Sequence, residues 1–218
     1  MKNTNNTKVH LIISAGKLFA EHGFSAVSTR MIADSAGVQL SAIHYHFGGK
    51  DQLYIESCLY AHDQGANNTF AKIIEENPKR LETPEGQAEI VRSMVFRTYH
   101  DHFRPDRPDW ETKIILKEVA TPSTAMTVLV EKAFRPDAES AAAFYKHIRT
   151  TATEQEAAAW SDLLYGGMLF YSIAGKTIEM VRGENSLNSD FFKVAAGKMA
   201  RAMILEAGLP LPADLQLK

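Results

Sequence analysis

The sequence predicts an all-α protein, and three observations carry that reading. Apolar residues recur at helical spacing along most of the 218 residues. Capping residues, glycines and prolines punctuate those stretches. No alternating run of strand length and no repeat of fixed period interrupts them. About nine or ten helices are expected on these signals. Hydrophobic residues make up 45% of the chain, ordinary for a globular protein, so disorder is not expected. No run of about 18 apolar residues occurs, and Met1 to Thr7 lacks the apolar stretch of a signal peptide, so a cytoplasmic protein with no membrane partner is expected. The lone cysteine, Cys58, excludes an intramolecular disulfide and a multi-cysteine zinc site, and reads as a small buried hydrophobe.

The first helix runs from a cap near Thr7 to about His22, with Val9, Ile12, Gly16, Phe19 and Ala20 on one face. Its start, with Lys2 and Lys8, is a candidate neighbour of phosphates. Ser28 or Thr29 caps a second helix whose inward face is Ile32, Ala33 and Ala36. Gly37 ends it, because glycine tolerates the left-handed conformation of a helix stop, and Val38 returns to the core. In the third helix Ile43 and Phe47, four apart, form the buried pair. The rest of that helix is small or carries flat hydrogen-bonding groups: Gln39, Leu40, Ser41, Ala42, His44, Tyr45 and His46. No acid follows until Asp51. That composition suits a helix laid in the major groove of DNA, so the pair reads as a helix-turn-helix.

Beyond Gly48-Gly49, Lys50 begins a fourth helix expected to run to about Glu76, with a polar, weakly helical middle from Gln64 to Thr69 that is a candidate bend. Thr83 caps the next, with Pro84 in its first turn and Ile90, Val91, Met94, Val95, Tyr99 and Phe103 as its apolar positions. Two prolines make Arg104 to Asp109 a loop. A helix resumes at Trp110; Thr121-Pro122 starts another that Arg135-Pro136 breaks or kinks, and Ala141 to Ile148 is helical again. Two long helices close the chain, residues 154–182 and a Ser189-capped one reaching Glu206. Both are rich in small residues, Gly166, Gly167, Ala195 and Ala196 among them, which permit close helix packing.

The net charge of -2 divides unevenly. Residues 1–53 hold five lysines and arginines against three acids, net +2, leaving -4 on the remainder. This polarity lets the first part approach phosphates while the second is kept away.

The run Thr29-Arg-x-Ile-Ala-x-x-Ala-Gly-Val38, then Ile43-x-Tyr-His-Phe-x-x-Lys50, preceded by Phe19-Ala-Glu-x-Gly-Phe24, resembles the N-terminal domain of the TetR family of transcriptional regulators. The likeness covers about the first 55 residues and joins three helices in order. One position departs from it: His44 stands where the family usually has tyrosine, so a phosphate contact there is weakened or moved. Residues and resemblance together give a helix-turn-helix DNA-binding domain over 1–50 and a larger helical domain for effector binding and dimerisation over 51–218. Thr29, Arg30, Gln39, Leu40, Ser41, Ala42, His44, Tyr45, His46 and Lys50 are the expected DNA contacts. Lys50 and Arg30 act on phosphates, and Gln39 and Ser41 on bases.

Other chemistries fit poorly. His100-Asp-His102 and His147 suggest a metal site, but residues two apart on a helix diverge, so no metal is expected. A Gly-x-Ser-x-Gly nucleophile motif is absent, and Gly48-Gly-Lys50 lacks the rest of a phosphate-binding loop, so neither an enzyme nor a cofactor is expected. Two functions remain. One is a repressor that binds a palindromic operator as a homodimer through residues 154–182 and 189–207. Its effector is a small, largely apolar molecule held among Tyr99, Phe103, Glu118, Met126, Trp160 and Met168, with Glu118 as polar anchor. The other is a constitutive or architectural DNA-binding protein whose body serves only assembly. The number of aromatic and methionine residues in the body, and the resemblance, favour the first.

Overall fold

In the computed structural model, which describes residues 2–65 and 69–216, the chain is helical throughout and no strand occurs among the described residues. The helices, numbered in chain order, are α1 (Lys2–His22), α2 (Thr29–Ala36), α3 (Leu40–Phe47), α4 (Lys50–Gly65), α5 (Phe70–Glu76), α6 (Pro84–Phe103), α7 (Asp109–Ala120), α8 (Thr124–Leu129), α9 (Arg135–Ile148), α10 (Glu154–Arg182) and α11 (Ser189–Glu206). They form two compact units, one of residues 1–65 with 108–134, the other of 66–107 with 135–218. The first unit thus extends beyond the expected head of residues 1–50 to include α4, α7 and α8.

The core of the first unit is built by Leu11, Ile12, Ala15 and Phe19 of α1, Ile32 of α2, Ile43 and Phe47 of α3, Leu53 and Cys58 of α4, and Trp110 and Ile114 of α7. Gly16 is required here by a close approach. A Cβ on it would stand 2.2 Å from the Trp110 ring, so only glycine lets the indole approach α1 this closely. Phe19, Phe24 and Tyr54 add an aromatic cluster, Phe19 meeting Tyr54 edge-on at 4.9 Å. Cys58 is buried, and desolvation followed by the nearby Glu118 charge pushes its thiol up to about 12, which keeps it protonated and unreactive.

In the second unit α6, α9, α10 and α11 pack around Ile90, Val91, Met94, Tyr99, Phe144, Trp160, Leu164 and Met203. Trp160 stacks on Tyr145 at 4.9 Å and donates its indole N–H to the Met203 carbonyl at 3.0 Å. The C-terminal segment is strapped back onto this unit. Arg92 donates to Asp214 at 2.7 and 3.0 Å, and Arg201 to the Leu215 carbonyl at 2.7 Å.

Several boundaries differ from the sequence expectation. The helix expected over 50–76 is two: α4 ends at Gly65, and α5 starts afresh where the Thr69 hydroxyl accepts from Lys72 N. The centre of the expected bend, residues 66–68, lies outside the described residues. α8 is capped by Ser123 rather than Thr121, and α11 by Asn188, whose side chain accepts from the amides of Asp190 and Phe191, rather than by Ser189. Around Arg135-Pro136 the helix passes through a π-helical turn, Val130–Phe134, before α9 begins. Proline denies the ladder one donor and crowds the preceding turn, and the wider turn absorbs both effects. α10 runs over Glu154–Arg182 as expected. It opens on a capping box in which the Thr153 and Glu156 side chains satisfy each other's backbone N–H groups.

Candidate nucleic-acid interface and ligand cavity

The geometry of the helix pair follows from its turn. Ser28 Oγ accepts from Met31 N at 3.2 Å, fixing the start of α2. At its end Gly37 takes φ +66°, Gly37 N donates to the Asp34 carbonyl and Val38 N to the Ala33 carbonyl at 3.0 Å. This pair of bonds is a Schellman stop, and Val38 completes it by packing on the core. α3 then begins at Leu40 behind Gln39, whose side chain makes no capping bond. The Gln39 amide is therefore not consumed by holding the helix.

Ile43 and Phe47 anchor α3 inward, leaving Gln39, Leu40, Ser41, His44 and Tyr45 exposed, with Tyr45 at 79%. Ala42 and His46 are half-buried; the His46 ring meets that of Tyr45 edge-on at 4.9 Å. Arg30 is exposed and Thr29 half-buried at the start of α2. From Ser35 to Lys50 the sequence has no acid, so this surface offers hydrogen-bonding groups without like-charge repulsion of phosphates.

Lys50 is placed differently from the expectation. Its ammonium points inward, donating to the carbonyls of Phe24 and Val27 at 2.9 Å each and lying 4.1 Å from the centre of the Phe24 ring. Those carbonyls belong to the corner between α1 and α2, where the Phe24 carbonyl otherwise accepts only a long turn bond from Val27 N at 3.4 Å. A lysine reaching from α4 closes the corner. Lys117 of α7 does the same one turn earlier, its Nζ lying 3.4 Å from the carbonyls of Phe19 and Glu21.

The expected effector residues fall in different units. Glu118 and Met126 belong to the first. Glu118 is 2% exposed, and its oxygens are already engaged: they accept from Tyr54 Oη at 2.6 Å, Ser123 N at 3.1 Å and Ser123 Oγ at 2.9 Å. That replaces the expected role of ligand anchor with a structural one, because a buried carboxylate must be hydrogen-bonded to remain buried. In the second unit Trp160 is held in the core by the bonds given above, and Met168 is buried. Tyr99 and Phe103, with ring centres 5.7 Å apart, do line a cavity of about 540 Å³ between α6 and α11. Phe192 and Lys193 of α11 line it too and were missed by sequence reasoning, although an aromatic pair, Phe191-Phe192, so early in an amphipathic helix was a usable signal.

The histidines raised as metal candidates separate. His100 is exposed and its Nδ1 lies 3.0 Å from Asp101, whereas His102 Nε2 is 2.8 Å from Ser172 Oγ and its Nδ1 3.1 Å from Arg107. No group of three metal-ligating side chains forms among the described residues.

With this geometry in place, comparison with known proteins gives a consistent result. Residues 11–56 match the family described as bacterial regulatory proteins, tetR family. This N-terminal segment of the chain is similar to the TetR family. Among curated relatives, the chain is 28% identical over 132 residues to the HTH-type transcriptional dual regulator CecR of Shigella flexneri, covering 59% of this chain and 58% of CecR. It is 29% identical over 105 residues to the HTH-type transcriptional repressor AcnR of Corynebacterium glutamicum, covering 48% and 45% of the two chains. The matched stretch spans about half the length of these curated relatives. A transcriptional regulator from Rhodococcus sp. Rha1 shares the fold, with TM-score 0.59, 19% identity, and coverage of 94% of this chain and 99% of that one. An N-terminal helix-turn-helix domain followed by a larger helical domain is thus this chain's fold. No described helix is long and apolar enough to cross a membrane.

Proposed function

We propose that this chain is a DNA-binding transcriptional regulator, a repressor that binds a palindromic operator as a homodimer and is released by a small, largely apolar molecule. The observation that carries the reading is α3: an exposed, acid-free helix behind a Schellman turn, with the Gln39 amide uncommitted to capping. Small residues at Ser41 and Ala42 allow close approach to base edges, and Gln39 has the donor and acceptor needed for bidentate reading of adenine.

One recognition helix reads only a few base pairs, so a two-fold dimer is the economical source of specificity. The dimer proposed here uses the outer faces of α10 and α11. Leu163, Phe170, Ile173, Met180 and Val181 are exposed along α10, with Ile173 at 65%, and Val194 and Leu205 along α11. Apolar residues at this spacing on two adjacent helices form a stripe that a second copy would bury. Gly167 and Ala196 belong to a different face. A Cβ at Gly167 would come within 2.8 Å of Met199 Cε and 3.0 Å of Tyr99 Oη, and Ala196 is buried. These small residues serve packing inside the unit.

Effector release requires differential affinity. Moving a population from 1:99 to 99:1 between DNA-competent and released shapes needs about 5.5 kcal/mol. The test is a shift assay on the DNA upstream of the gene: saturable binding to a palindrome there, resisting competition by random DNA, supports the reading. Binding equal on both DNAs opposes it.

A further inference from the structure

The cavity between α6 and α11 has a polarity of its own. Its floor is aromatic: Phe96, Tyr99 and Phe103 come from α6, and Phe192 of α11 stacks on Phe103 with ring centres 3.8 Å apart. Arg97, Arg104, Lys193 and Asp101 also line it, and each of the three cations pairs with a carboxylate beside the cavity. These cations are not equivalent. Arg97 is committed to Glu76 through two short bonds of 2.7 and 2.6 Å. Among the described residues Lys193 pairs with Asp190, three residues earlier on the same helix, with side chains 73% and 89% exposed. Such a surface pair contributes little and exchanges readily for another anion. Arg104 lines the same cavity, pairing with the exposed Asp106 at 3.3 Å and donating to the Asp101 carbonyl at 3.1 Å.

We propose that this cavity binds an apolar monocarboxylate, an acyl or aryl acid, with its hydrocarbon on the aromatic floor and its carboxylate at Lys193 and Arg104. The volume, about 540 Å³, lies within the range of small-molecule sites. The charge sets the class. A neutral hydrocarbon leaves Lys193 unused, whereas an anion can take the place of Asp190 at its ammonium. A carboxylate gains charge-assisted hydrogen bonds while its chain leaves water. The site is also compatible with the dimer proposed above, because Val194 and Leu205 lie on another face of α11 from Phe192 and Ala196.

The assignment deepens the ligand-responsive reading and rests on it for its regulatory meaning, but binding is tested separately from release. Sodium decanoate and decanol, matched in chain and different in charge, are titrated calorimetrically into the full-length protein. Decanoate is expected to bind at least about tenfold more tightly than decanol. Lys193→Glu, at an exposed position, should keep the fold and weaken decanoate about tenfold while leaving decanol unchanged. Phe192→Ala should weaken both; if it fails to fold, Ser189→Trp at the cavity mouth replaces it with the same expectation. Equal affinity for acid and alcohol, or indifference of decanoate to Lys193→Glu, overturns the anion assignment, and absence of binding by both overturns the site. Operator affinity is then measured with and without decanoate. Binding that leaves DNA affinity unchanged refutes release by this ligand while the cavity assignment stands.

Discussion

Tyr54 Oη donates a 2.6 Å hydrogen bond to Glu118, a residue 64 positions away, and thereby ties α4 to α7 inside the first unit. Ser123, the cap of α8, donates to the same carboxylate through both its amide and its hydroxyl. One buried acid therefore gathers three helices. Desolvation first, and the bond to Glu118 second, push the Tyr54 hydroxyl far above its ordinary range, so it remains a donor at every physiological pH.

Removing either partner should destabilise this unit without touching the proposed cavity. Tyr54→Phe is expected to cost about 1–3 kcal/mol in urea unfolding, because a buried carboxylate loses a donor. Decanoate affinity should be unchanged. A large fall in ligand affinity would return Glu118 to the role of anchor.

Lys50 provides a second separation of fold from contact. With its ammonium on the carbonyls of Phe24 and Val27, Lys50→Ala should cost about 1.5–3 kcal/mol of stability, the range for hydrogen bonds to a charged group. The slope of log affinity for DNA against log salt should stay as in the wild type. A slope shallower by about one unit would mean that Lys50 neutralises a phosphate.

The dimer stripe predicts a contrast between two substitutions on one helix. Ile173→Asp, at an exposed position, should give a folded monomer by sedimentation, with helical circular dichroism retained and operator affinity poor. Gly167→Arg should instead unfold or strongly destabilise the second unit, because its side chain enters the space of Tyr99 and Met199. If Ile173→Asp remains dimeric, the interface lies elsewhere.

His102 predicts an acid limit to stability. Burial, and then the neighbouring Arg107, lower its pKa to about 3. An unfolded histidine titrates near 6.5, so below that pH the unfolded chain takes up a proton that the folded one refuses. The stability present above about pH 6.5 is lost as pH falls toward 3, amounting to about 2 kcal/mol by pH 5. In His102→Gln the difference in unfolding free energy between pH 8 and pH 5 should shrink by about that amount. An unchanged difference would show that His102 is already protonated in the folded protein at pH 5.

Local chemistry made most of this legible in sequence. The Schellman stop at Gly37, the Ser28 and Thr83 caps and the inward pair Ile43 and Phe47 are short-range features, each determined within about one helical turn. What sequence missed is long-range. The commitments of Lys50 and Glu118 depend on partners 23 and 64 residues away, and helical periodicity shows only that a position faces inward or outward. Gly167 read as an interface residue because small residues permit close packing against any neighbour; that the neighbours are Tyr99 and Met199 is a tertiary fact. The cavity itself arises where α6 and α11 meet, and only its α6 side, Tyr99 and Phe103, was anticipated.

The central claim, that α3 reads base sequence, is tested most directly by comparing Gln39→Ala with the wild type on operator and random DNA at one salt concentration. Gln39→Ala should lose about 1–3 kcal/mol on the operator, with relaxed choice at one base position and little change on random DNA. Equal losses on both DNAs, or none on the operator, would contradict it.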